Sequence, residues 1–131
     1  MIVDSSAIVA ILRREPEQQR FSEALRDASE KRISAATYFE ASIVIDSAHD
    51  PIASRTLDDL IDNFKIVVEP FTPEQAQIAR QAYRDYGKGS GHRAQLNFGD
   101  CFSYALARVK REPLLFKGDD FVHTDVRPAV P

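Results

Sequence analysis

The first twelve residues, Met1-Ile-Val-Asp-Ser-Ser-Ala-Ile-Val-Ala-Ile-Leu12, constrain this chain more than any other stretch. Ile2-Val3 reads as a short buried strand that ends on a carboxylate and turns at once into a helix. Strands that are apolar without alternation belong to parallel sheets covered on both faces. In open α/β sheets, ligands gather outside the carboxyl ends of the strands. Asp4 stands at such an end, which makes it the first candidate for chemistry.

The rest of the chain repeats the alternation. Residues 6–13 carry Ile8, Ile11 and Leu12 at helical spacing. Glu15-Pro16 breaks that helix, because the residue before a proline avoids helical geometry. Pro16 suits the first turn of a second helix, with Phe21, Ala24, Leu25 and Ala28 on one face. Residues 31–35 read as a strand, and residues 36–48 as a helix carrying Phe39, Ile43, Val44 and Ile45. Asp50-Pro51 opens another helix, with Leu57, Leu60, Ile61 and Phe64 as an amphipathic stripe. Ile66-Val-Val-Glu-Pro70 is a third short apolar strand.

Thr72-Pro73-Glu74 then starts a helix by capping, with Ala79, Ala82, Tyr83 and Tyr86 as its buried stripe. Residues 87–93 hold three glycines and read as a flexible loop. Residues 97–110 form the last long helix, and Leu114-Leu-Phe116 a final buried strand before a turn at Gly118. Strands alternating with helices specify the α/β class, with a parallel sheet covered on both faces. No repeat or linker divides residues 1–131, so they read as a single domain.

Composition narrows the partners. Apolar residues make up 44% and charged residues 28%, as in a globular domain. A net charge of −3 makes no global case for nucleic-acid binding, but a cluster of uncompensated carboxylates would produce it. The single cysteine, Cys101, excludes a disulfide framework and suits a reducing cytoplasm. No apolar run approaches the roughly 20 residues that span a bilayer. The N-terminal stretch lacks a basic segment and carries Asp4, unlike a secretory signal.

Three further acidic positions match Asp4. Glu40 has Ala36, Ile43 and Val44 as helical neighbours, an expensive place for a carboxylate unless it is partnered. Asp100 sits three residues after Asn97 on a largely apolar helix, with Gly99 leaving room beside it. Asp119 and Asp120 follow the last strand, and Asp120, beside Phe121, is the preferred inward residue, with Asp119 as the alternative.

Each has an ordinary explanation. Asp4 suits an N-cap, although Ser5 or Ser6 could take that place. Glu40 could lie at the edge of its stripe and reach water. Asp100 fits a capping box, and Lys117-Gly-Asp-Asp120 fits a polar turn. Together, however, acids gathered at one sheet edge could not stay ionised without a cation. Oxygen ligation without clustered Cys or His suits Mg²⁺, with Mn²⁺ able to substitute. His49, His92 and His123 are scattered and read as surface residues, with His92 a candidate near a phosphate.

Four segments carry a resemblance. They are Ile2-Val-Asp-Ser-Ser-Ala7, Ala36-Thr-Tyr-Phe-Glu-Ala41, Leu96-Asn-Phe-Gly-Asp-Cys-Phe-Ser-Tyr-Ala-Leu-Ala107 and Leu114-Leu-Phe-Lys-Gly-Asp-Asp-Phe-Val-His-Thr-Asp125. In order and spacing they resemble the PIN-domain toxins of VapBC toxin–antitoxin modules, over nearly the whole chain. The resemblance implies a PIN-like α/β/α sandwich with a short, mainly parallel sheet of about four or five strands. It implies a Mg²⁺-dependent endoribonuclease, a homodimer, and inhibition by a cognate VapB antitoxin whose C-terminal segment covers the site. Carried over by position, the acids are Asp4, Glu40, Asp100 and Asp120, and Ser6 stands for a small hydroxyl residue near the metal.

On that basis Asp4 and Asp100 are expected as direct metal ligands. Glu40 is expected to act through water, and Asp120 to help hold a second metal. Attack by a metal-activated water would leave 5′-phosphate and 3′-hydroxyl ends. RNA needs positive charge, and Arg84, Lys88 and Arg93 around the glycine loop, with Lys117 beside the fourth acid, are the candidates. Two other classes compete. A phosphoryl-transfer receiver or phosphatase also places an aspartate after its first strand. The phosphatase, however, needs an acid where Ser6 stands, and the receiver needs an aspartate where Glu69-Pro70 closes the middle strand. A non-catalytic module that only sequesters RNA or a partner would not need all four acids.

Overall fold

The computed structural model describes residues Met1–Pro131. Four strands, β1 (Ile2–Val3), β2 (Arg32–Ser34), β3 (Val67–Glu69) and β4 (Leu114–Leu115), form one parallel sheet in the order β3-β2-β1-β4. Six helices surround it: α1 (Ser5–Leu12), α2 (Gln18–Asp27), α3 (Ala35–Asp46), α4 (Pro51–Asn63), α5 (Pro73–Tyr86) and α6 (Asp100–Lys110). The chain leaves β1 for β2 and β3 on one side and returns to β4 on the other. The order therefore reverses at the β1–β4 boundary, where parallel sheets open a crevice at their carboxyl edge.

Two-residue strands suffice because their register is fixed by packing on both faces. Ile2 pairs with Leu114 and Val3 with Leu115. Successive side chains on a strand point to opposite faces. Accordingly Val3 and Leu115 join one core with Ala7, Ile8, Phe21, Leu25, Ile33 and Leu57 under α1–α4. Ile2 and Leu114 join the other, with Leu96, Tyr104, Leu106 and Phe121 under α5 and α6. A one-residue slip would exchange the two cores. The chain adopts the expected α/β/α architecture, with four strands, all parallel, where a mainly parallel sheet of about four or five is expected.

Several local expectations are corrected. β3 is an edge strand, and Val67 is 55% exposed, so the sheet is not buried throughout. Pro16 lies in a turn before α2, which begins at Gln18. On α3 the buried face is Thr37, Ala41 and Ile45, while Phe39 is 65% and Ile43 55% exposed. Apolar character alone does not turn a residue inward, because neighbouring elements cover only one side of this helix. Tyr83 is likewise exposed on α5. The last helix begins at Asp100, not Asn97. Helix α5 starts as its sequence specifies: Pro73 occupies the first turn and Thr72 accepts the Gln75 N–H at 3.2 Å.

Candidate active site

Asp4 is placed by the sheet. Its backbone N–H donates to the Leu115 carbonyl at 2.9 Å, so the β1–β4 register decides where its side chain begins. The side chain is 3% exposed and caps α1, correcting the alternative that Ser5 or Ser6 would do so. Its Oδ2 accepts from the Ser6 N–H at 3.1 Å and the Ser6 hydroxyl at 2.6 Å. Its Oδ1 accepts from the Ser103 hydroxyl of α6 at 2.6 Å. Ser6 Oγ in turn accepts the Lys117 N–H at 2.9 Å, tying the end of β1 to the turn after β4.

Asp100 opens α6 in a reciprocal capping box. Its N–H donates to Asn97 Oδ1, and the Asn97 N–H donates to Asp100 Oδ2, both at 2.9 Å. The same carboxyl is only 8% exposed. Burial pushes it up from 3.8 to about 7; the Asn97 N–H pulls the other way, and the nearby Asp4 and Asp120 add to the rise. Capping and chemistry are not alternatives here, because one side chain meets both descriptions.

Glu40 reaches the site from the margin of α3 rather than from a buried stripe. Ser5 Oγ donates to its Oε1 at 2.7 Å. Its Oε2 lies where a side chain on residue 99 would be: a Cβ on Gly99 would overlap that oxygen and stand 2.8 Å from Glu40 Cδ. The glycine before Asp100 thus makes the space in which the α3 carboxylate meets the start of α6.

Asp119 and Asp120 are both exposed, past a left-handed turn at Gly118 (φ +102°), with buried Phe121 anchoring the segment. Asp120 is the member of the pair that adds to the rise at Asp100. The Asp119 carbonyl accepts the Val122 N–H at 3.3 Å within the turn.

The acids gather more loosely than expected, as an open array: no three Asp, Glu, His or Cys side chains stand together as ready metal ligands. Asp4 and Asp120 each lie within electrostatic range of Asp100, and Glu40 reaches the start of α6 at Gly99. An open array fits Mg²⁺, which keeps several waters and takes one or two carboxylates. It does not fit a structural zinc, which needs four protein ligands. The buried Asp100 supplies the test of fit, because a carboxylate taken out of water, with like charges nearby, keeps a proton near neutrality unless a cation replaces it.

The basic candidates separate. Arg84, Lys88 and Arg93 are exposed and free of ion pairs. Their loop is closed at its base by Lys88 N–H to Leu96 O at 3.0 Å and Leu96 N–H to Tyr86 O at 2.8 Å. Lys117 is not a free cation: its Nζ lies 3.1 Å from Glu15 and 3.2 Å from Glu17. His92 is half-buried against the Tyr86 ring, and its Nδ1 accepts the Ala94 N–H, which corrects its reading as a surface residue. Sequence reasoning also missed Ser5, Thr37 and Ser103. The available signal was a hydroxyl three residues from an acid on each of two helices, Thr37 with Glu40 and Asp100 with Ser103. An apolar cleft of 520 Å³, lined by Ile11, Leu12, Val44, Leu60 and Phe64, opens at the far end of α1 from Asp4.

Comparison with known proteins places the sequence and the fold. Residues 1–127 match the family model described as the PIN domain. The chain is 58% identical over 130 residues to the protein named Ribonuclease VapC28 of Mycobacterium tuberculosis, covering 99% of this chain and 98% of that one. Its fold superposes on the crystal structure of Mycobacterium tuberculosis VapC20, described as a sarcin-ricin loop cleaving toxin. The TM-score is 0.70 at 17% identity, over 97% of this chain and 98% of that one. It also superposes on a toxin–antitoxin complex from Klebsiella pneumoniae, with a TM-score of 0.73 at 15% identity, over 95% of this chain and 92% of that one.

Proposed function

This chain belongs to the PIN-domain family and, within it, to the VapC group, and on that premise we propose that it is the toxin ribonuclease of a toxin–antitoxin pair, dependent on Mg²⁺. The observation that carries the reading is Asp100, buried at the start of α6 within electrostatic range of Asp4 and Asp120. A fold that only had to be stable would not keep three carboxylates there. Family membership supports an antitoxin partner, and a complex of that kind is among the structural neighbours.

Bound at the array, a divalent cation would neutralise charge on the scissile phosphate and lower the pKa of a water. Asp4 and Asp100 would hold it, with their carboxylates fixed by the bonds from Ser6, Ser103 and Asn97. Glu40, steadied by Ser5, would orient the attacking water, and Asp120 would help hold a second ion. Water attack leaves 5′-phosphate and 3′-hydroxyl ends. Exposed Lys88, Arg93 and Arg84 supply charge for the RNA backbone.

The antitoxin is proposed to act by covering the acids with its C-terminal segment, and the apolar cleft along α1, α3 and α4 suits an amphipathic partner helix. Pairing of two copies would cover the exposed Phe39 and Ile43. The deciding experiment is RNA cleavage by purified chain with Mg²⁺ or EDTA, with product ends mapped. Asp4→Asn should abolish metal-dependent cleavage without unfolding. Products ending in 2′,3′-cyclic phosphate would refute the mechanism. Stable labelling of Asp4 by a phosphoryl donor would favour the receiver or phosphatase class. RNA binding without cleavage would leave a sequestering module.

A further inference from the structure

We propose that Ser103, backed by Thr37, is a positioning residue that fixes the orientation in which Asp4 presents its carboxylate to a divalent cation. The inference rests on the metal-site reading above and adds to it a part of the chain that touches neither the cation nor the RNA.

Hydroxyls inside helices ordinarily bond back to the carbonyl one turn earlier. Two do so here: Ser42 donates to Tyr38 O and Thr56 to Ile52 O, each at 2.7 Å. Ser103 departs from that habit. Fully buried in α6, it donates at 2.6 Å to Asp4 Oδ1, a residue 99 positions away. A serine has one proton to give. With that proton committed to a carboxylate, the contact of 3.2 Å between Ser103 Oγ and Thr37 Oγ1 has a single consistent direction, with Thr37 as donor. Thr37 is itself fully buried. The result is a directed chain, Thr37 to Ser103 to Asp4, reaching from α3 through α6 to the end of β1.

The chain opposes a second grip. Ser6 holds Oδ2 from the α1 side through its N–H and hydroxyl, while Ser103 holds Oδ1 from the α6 side. Rotating the carboxylate would break both grips at once. Because α6 also carries Asp100 one turn before Ser103, the same helix supplies an acid and the hydroxyl that aims the other acid. The supports of a metal ligand set its geometry and basicity, and removing one ordinarily weakens metal binding roughly 10–100-fold.

The test uses the full chain and Mn²⁺ alone as probe, read by calorimetric titration, with thermal unfolding in EDTA as the fold control. Ser103→Ala should weaken Mn²⁺ binding about tenfold or more. Thr37→Val, nearly isosteric, should weaken it by a smaller factor. In the double variant Thr37→Val should add nothing, because its effect passes through Ser103. Ser103→Thr, which keeps the donor, should restore most of the affinity. Wild-type affinity in a folded Ser103→Ala variant would overturn the proposal, as would Thr37→Val and Ser103→Ala effects that simply multiply. Failure of the wild type to bind Mn²⁺ would defeat the metal reading itself, and that outcome is distinguishable from loss of the relay alone.

Discussion

Replacing Asp100 by asparagine should make this protein more stable in the absence of metal while destroying its activity. The carboxyl is raised from 3.8 to about 7, chiefly by burial. A folded-state value above the unfolded one means that the folded protein binds the proton more tightly. Ionisation therefore costs stability: the cost is absent below about pH 4, grows through the window between the two values, and is complete above pH 7. The gap corresponds to a ceiling of roughly 4 kcal/mol at pH 8. Asparagine keeps an oxygen to accept the Asn97 N–H that Asp100 Oδ2 now holds, so little of the capping box is lost. A gain of about 2–4 kcal/mol is expected in EDTA at pH 8, or a Tm rise of roughly 10 °C. At pH 4.5 the gain should shrink to about a quarter. Saturating Mg²⁺ should narrow or reverse the difference, because it stabilises only the protein that binds it. Thermal and urea unfolding at the two pH values, with and without Mg²⁺, measure all of this. An Asp100→Asn variant less stable than wild type in EDTA at pH 8, or a difference indifferent to pH, would refute the reasoning.

Gly99→Ala should fold, since residue 99 has a helical φ of −64° and the group displaced is the flexible end of Glu40. It should nonetheless lose about tenfold or more in cleavage, with Tm shifted by only about 2 °C, checked by RNA cleavage beside a melting curve. Thr72→Ala removes the hydroxyl that accepts the Gln75 N–H and should cost about 1 kcal/mol by urea unfolding with activity retained. Charge reversal at Lys88 and Arg93 together should weaken RNA binding and flatten its salt dependence while leaving Mn²⁺ titration unchanged. Equal loss of both would remove the glycine loop from the RNA path.

The central elements were readable because their signals are local. Thr72-Pro73 and Asp50-Pro51 start helices by satisfying their own first turns, and Ile2-Val3 is too apolar to lie anywhere but inside. Errors arose where burial depends on what lies opposite. Phe39, Ile43 and Tyr83 have the residue type of a core and the exposure of a surface, because no element of this chain packs over them. Val67 is exposed because β3 has a neighbour on only one side.

The candidate site divides in the same way. That Asp4 and Asp100 stand at helix starts, Asp120 in the turn after the last strand and Glu40 beside the apolar face of α3 follows from the order of residues alone, since caps, turns and helical faces are set within a few positions. How they meet does not. Asp100 is drawn toward Asp4 by the packing of α6 against β1, Glu40 by the side chain that Gly99 lacks, and Ser103 by a bond spanning 99 positions. Lys117 shows the converse: next to Asp119 and Asp120 in the chain, it is bound instead by Glu15 and Glu17. Periodicity and capping act over one or two turns, whereas a shared charge environment exists only once distant segments have displaced the water between them.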